Sequence, residues 1–153
     1  MNREAIAVAH FALLQSALGI GGSSPLATTV TRILKHYTDV GVEECPFVCP
    51  TQPSENHAWP NPALEDVIRM TCKVWVYVKT DLSSGVAPGT LMNPILDAIQ
   101  KAYNPESPTT NKQTLGGLVK HARIDGEIVT SEGWLGNTEI AVIPVELLVS
   151  SLM

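Results

Sequence analysis

Charge is scarce in this chain of 153 residues: Asp, Glu, Lys and Arg together make up 16%, against about 25% in ordinary globular domains. So few charges leave an unusually apolar exterior, and part of it is expected to be covered by copies or partners. Basic charge is the scarcer sign, and the net charge of −5 argues against a nucleic-acid binder, which would need a basic face. Cysteine is equally thin. Cys45, Cys49 and Cys72 cannot all pair, so no disulfide framework holds the fold. No stretch reaches the ~18 apolar residues of a membrane span. The N-terminal run MNREAIAVAHFALLQSALG is signal-like in outline, but Glu4, His10 and Gln15 interrupt its apolar core. The expectation is a soluble, cytosolic protein with no membrane partner.

What is present is a hydrophobic fraction of 44%, enough for one core without metal or disulfide staples. We read one domain over residues 1–153. Its plainest signal is RMTCKVWVYVK, Arg69 to Lys79. Met70, Cys72, Val74, Val76 and Val78 alternate with Arg69, Thr71, Lys73, Trp75, Tyr77 and Lys79, the period of a strand with one buried face. The other face carries two aromatics between cations. Either a loop or helix of the same chain covers these rings, or they meet a partner surface.

Around this strand, residues 3–18 read as a helix capped by Asn2, with Ile6, Ala9, Leu13 and Ala17 as its stripe and His10 and Leu14 on its flank. Gly19, Gly21 and Gly22 stop it. Residues 28–37, rich in β-branched side chains, predict a strand. A proline-rich loop is predicted at about 41–66, with room for a short edge strand at Phe47-Val48-Cys49 and a polar, exposed remainder. The second helix is placed at 91–103, capped by Thr90 or Asn93, with Leu91, Ile95, Ala98, Ile99 and Ala102 inward. Strands at Leu115–Asp125 and Glu127–Thr130 flank Asp125-Gly126, a hairpin signal. The last strand, Ile140–Leu148, turns Ala141, Ile143, Val145 and Leu147 to one face. Pro144 removes a ladder donor, so that strand is expected at an edge or with a bulge. The sum is an α+β two-layer domain: a mostly antiparallel or mixed sheet with two helices on one face.

Catalytic signatures are missing. Cys45, Cys49 and His57 lie within thirteen residues, but their spacing matches no common zinc site, and two ordinary thiols in an irregular loop is the favoured reading. A cysteine nucleophile served by His36, His57 or His121 has no local support. Gly19-Ile20-Gly21-Gly22 follows a helix where a phosphate loop follows a strand. Gly116-Gly117 reads as a bend rather than a ligand cradle. No catalytic, cofactor or metal residue is assigned, and the expectation is a non-enzyme.

The order Leu115-Gly116-Gly117-Leu118-Val119, Ala122-Arg123-Ile124-Asp125-Gly126 and Ile140-Ala141-Val142-Ile143-Pro144-Val145-Glu146-Leu147 resembles the phage tail terminator family. The resemblance covers nearly the whole chain in layout and length, with the proline-rich loop 45–63 as a departure. It implies a structural virion protein, assembled in the host cytoplasm and placed at the head-proximal end of the tail. Its copies would form a homo-hexameric ring that caps the tail tube protein, stops polymerisation and offers a docking surface to a head-completion or connector protein. DNA would pass through the ring without specific binding. A ring uses head-to-tail contacts that close, and Lys73, Trp75 and Tyr77 are the expected subunit interface. Some of Asp125, Glu127, Glu132 and Glu139 are expected to face the channel, where carboxylates would repel passing DNA. Two alternatives stand beside it: another neck or head–tail joining protein, and a small enzyme or metal-binding domain using the Cys45/Cys49/His57 loop.

Overall fold

The structure, a computed structural model, describes residues 1–58, 66–131 and 134–150. Two helices, α1 (Arg3–Ala17) and α2 (Pro88–Ala102), lie on one face of a seven-stranded mixed sheet. The strands are β1 (Thr29–Val30), β2 (Phe47–Pro50), β3 (Ser54–Ala58), β4 (Val67–Lys79), β5 (His121–Ile124), β6 (Val129–Thr130) and β7 (Thr138–Ser150). The spatial order is β1-β2-β4-β7-β5, with β3 also on β4 and β6 also on β7. Only β1 and β2 run parallel. The α+β expectation holds.

The frame is the ladder between β4 and β7, antiparallel from Val67↔Ser150 to Lys79↔Thr138. Ile68, Met70, Cys72, Val74, Val76 and Val78 from β4 and Ala141, Ile143, Val145, Leu147 and Val149 from β7 are buried. Ile6, Leu14, Leu18, Met92, Ile95 and Ile99 from the helical side close over them. The period-two pattern therefore meets a helical layer, as its spacing requires.

Helix α1 turns a different line inward from the one predicted: Ile6, His10, Leu14 and Leu18 are buried, and His10 lies at the centre of the stripe. A histidine is tolerated there because its Nε2 shares a 2.5 Å hydrogen bond with the hydroxyl of Tyr103, just past the end of α2. Helix α2 begins earlier than predicted, at Pro88, with Ala87 as its cap residue. Met92 takes the buried place expected of Leu91, which is 41% exposed.

Other expectations need correction. Residues 28–37 do not form one strand. After Thr29–Val30, the Thr31 amide donates to the Val48 carbonyl. Beyond it Ile33 is 73% exposed, and Tyr37–Asp39 form a 3-10 turn. β-Branched residues favour a pleated surface only where a neighbouring strand and core exist. Conversely, Ser54–Ala58, read as loop, pairs along β4. Its polar composition suits an edge strand with exposed side chains. Leu115, Gly116 and Gly117 all take positive φ and make a turn, not a strand. That turn is braced by the Glu106 carboxylate, which accepts the Thr114 and Gly116 amides.

Asp125-Gly126 does not make a hairpin either. β5 and β6 both pair with β7 on the same side, Ile124↔Val145 and Val129↔Val142. The chain thus advances five residues against three on β7, a two-residue bulge. The cause is Pro144. Toward β4, Lys73 turns its amide to Thr51 and its carbonyl to the Thr51 amide, so the missing Pro144 donor is not needed there. Toward β5, the Asp125 amide donates to the Pro144 carbonyl, but Pro144 has no N–H to return. Pairing breaks at that point. β7 is nonetheless central, and the bulge sits on its partner rather than on β7 itself. Gly126 completes the bulge at φ +120°, and a Cβ there would lie 3.1 Å from Pro144 Cγ. Gly126→Ala is expected to cost about 1–3 kcal/mol, read as a lower urea midpoint with an unchanged slope.

Candidate functional site

Opposite the helices, the second sheet face divides into a covered and an open part. Tyr77↔Ile140, Trp75↔Val142, Lys73↔Pro144, Thr71↔Glu146 and Arg69↔Leu148 run along it. At one end the segment from Lys35 to Cys49 folds over the sheet. Val40, Phe47, Cys49 and Tyr77 form a small second core there. The Tyr77 ring stacks on Phe47 with centroids 5.5 Å apart, and its hydroxyl donates to the Lys35 carbonyl at 2.9 Å. The Lys79 ammonium donates to the Val40 carbonyl. Burial raises the Tyr77 hydroxyl pKa above its ordinary value.

Tyr77, expected at a subunit interface with Lys73 and Trp75, is 3% exposed and belongs to the chain's own second core. Trp75 lies on the same face, edge-on to Tyr77 at 6.3 Å, and is only half-buried. Lys73 is exposed. The expected alternation of faces is correct, but the two aromatics have different neighbours. A groove of about 440 Å³ opens where Trp75 and Tyr77 meet Leu34, Tyr37 and Ile140.

Beyond Trp75 no helix covers this face among the described residues. It carries Arg69, Lys73 and Arg123 with Val142, Pro144 and Val129. The Glu146 carboxylate lies between two cations, accepting from Arg69 Nε and from Arg123 Nη2, each at 2.8 Å. Its side chain is only 6% exposed, so the pair of arginines keeps a desolvated carboxylate satisfied from two strands. The two arginine side chains are 59% and 47% exposed, so the pairing with Glu146 sits at the surface of this face.

The acidic group expected at a channel does not form one patch. Asp125 and Glu127 are exposed in the bulge, and Asp125 lies 3.8 Å from Arg123. Glu139 pairs in register with Val78, which puts it on the helical face beside Gly89 in the first turn of α2. Burial raises its pKa. Glu132 lies outside the described residues.

The thiol loop is split as well. Cys49 is buried in the second core, and burial pushes its thiol up to about 11. Burial likewise raises Cys45. His57 is on β3, 3.1 Å from Glu55 and 3.4 Å from Asp66, whose hydrogen bonds hold its pKa above the usual imidazole value. Among the described residues no group of three His, Cys, Asp or Glu side chains is arranged to hold a metal, and no helix is long and apolar enough to cross a membrane.

Two features escaped the sequence reading. The first is the buried trio His10, Tyr103 and Cys72, with Cys72 Sγ 3.9 Å from His10 Nδ1. Burial lowers His10 to about 4 and raises Cys72 to about 12, so the trio is a neutral polar network inside the core rather than an activated nucleophile. Its only signal in the sequence is a histidine four residues from both Ile6 and Leu14. The second is Trp134, 88% exposed on the β6–β7 hairpin. Compared with known proteins, the chain matches no family model and no curated protein.

Proposed function

We propose that this chain is a structural subunit that assembles head-to-tail into a closed ring, caps a phage tail tube and presents a surface to the head side of the particle. The observation that carries the reading is the open sheet face. Among the described residues a long central ladder leaves Arg69, Lys73 and Arg123 exposed and Trp75 half-buried at their edge, in a protein short of surface charge. Such a mixed aromatic and cationic strip has the composition of an interface. The layout that resembles tail terminators gives the ring its stoichiometry, six copies. Capping then follows physically, because a ring that matches the tube end on one side and does not repeat that side on the other stops addition. In this reading the chain performs no catalysis, holds no cofactor, and lets DNA pass without reading it.

Native mass spectrometry of concentrated protein, with electron microscopy of assembled tails, is the test. A sixfold ring containing this chain is expected, and its absence from both preparations would sink the proposal. Within the ring, Trp75→Ala should weaken association by about 2 kcal/mol or more while the monomer stays folded. Tyr77 and Phe47 still close the second core in that variant. A Trp75→Ala chain that assembles like the parent would remove Trp75 from the interface.

A further inference from the structure

Trp134 is the most exposed large apolar side chain among the described residues, at 88%. It projects from the hairpin joining β6 to β7, where its amide donates to the Ser131 carbonyl and Leu135 bridges to Thr138. An indole exposed in this way leaves most of its apolar surface in water, where smaller residues would do as well.

The same chain offers a place for such a ring. The groove between the 34–37 segment and the sheet is lined by Leu34, Tyr37, Trp75, Tyr77 and Ile140 together with Lys35 and His36, a mostly apolar lining with polar groups beside it, of the kind that receives an anchor side chain. Leu34 is 45% exposed at its mouth and Ile33 beside it 73%. Charge matches too. From Ile124 to the end of the sequence every charged side chain is acidic, and from Val67 to Lys79 every one is basic. The arm that carries Trp134 follows the exposed Asp125 and Glu127, and the strand that floors the groove presents the exposed Lys73 next to Trp75.

We infer that Trp134 of one copy inserts into the Leu34–Tyr37–Trp75–Ile140 groove of the next copy, as the anchor of a head-to-tail contact. The inference rests on the ring reading and names its contact. Knob and groove are different surfaces of one chain, so the contact is heterologous and propagates around the ring until it closes. The opposite charges beside them orient the approach.

The test uses the full chain in concentrated solution. Trp134→Ser should weaken self-association about 30-fold, the loss typical of a buried aromatic anchor, with thermal stability of the monomer unchanged because the side chain is 88% exposed in its own copy. In a Cys45→Ser background, where Cys49 and Cys72 remain buried, chains carrying Trp134→Cys are mixed with chains carrying Leu34→Cys. A short thiol crosslinker should join the two kinds of chain to each other. If Trp134→Ser assembles like the parent, or the two cysteines never crosslink between copies of an assembling protein, the anchor is wrong and the ring reading survives. If the parent chain fails to assemble in solution and on tails, the ring reading itself falls and the anchor with it.

Discussion

Lowering the pH from 6.5 to 4 is expected to remove about 3 kcal/mol of folding stability through His10 alone. The imidazole is 2% exposed, and burial lowers its pKa from 6.5 to about 4. Between those values the unfolded chain binds a proton that the folded chain refuses. Stability therefore rises with pH across this window and is lost as pH falls through it, at about 1.4 kcal/mol per unit. Glu139, held up by burial, works against it, because the folded chain there keeps a proton that the unfolded chain releases. Carboxylates held down by partners, such as Glu106 under its hydrogen bonds from Thr114 and Gly116, lose their contribution at lower pH. His57, held up by Glu55 and Asp66, gains its contribution as pH falls toward 6.5 from above.

Urea unfolding at several pH values reads the slope directly. His10→Leu should remove the His10 share of it but leave the Tyr103 hydroxyl buried without its partner, at about 1–3 kcal/mol. Adding Tyr103→Phe removes both polar groups and should recover most of that loss, with the His10 share of the slope still missing. A double variant that keeps the parent's slope would show that another group carries the titration.

Truncating Leu14 or Ile143 to alanine is expected to destabilise the fold by about 2–5 kcal/mol each. Both side chains are fully buried, one from α1 and the other from the central strand β7. They meet in the main core between helices and sheet, where the layers cannot collapse onto a void without separating the β4–β7 ladder from the helices. Ile33→Ala is the contrast. The same kind of truncation at a side chain 73% exposed should stay within about 0.5 kcal/mol. Equal losses at Ile33 and Leu14 would mean that residues 28–37 are a buried strand after all, and the fold described here would be wrong in that segment. Calorimetry or denaturant midpoints on the three variants decide it.

By itself the sequence determined the elements whose pattern is local and long. Met70 to Val78 alternate with polar or aromatic residues, Ala141 to Val149 put an apolar side chain at every second position, and a period of two has one solution when one face must leave water. The helix at 3–17 is similarly written in its cap and its spacing, and the helix after Pro88 was read within a few residues. Fold class follows from these, because two amphipathic helices and two long one-faced strands close only as two layers. Tertiary structure decided whatever depended on a neighbour far away in sequence. The β-branched run 28–37 found a strand to pair with for two residues only, and polar Ser54–Ala58 became a strand because the edge of β4 was available. Asp125-Gly126 became a bulge instead of a hairpin turn because Pro144, nineteen positions on, could not return a hydrogen bond. The candidate interface was legible as a face but not as a site. Alternation put Trp75 and Tyr77 together, yet only the chain from Lys35 to Cys49, folded over one end, buried Tyr77 and left Trp75 at the rim of a groove. His10 was similarly placed by its helix and made tolerable by Tyr103, a hydroxyl that no local pattern could have put beside it.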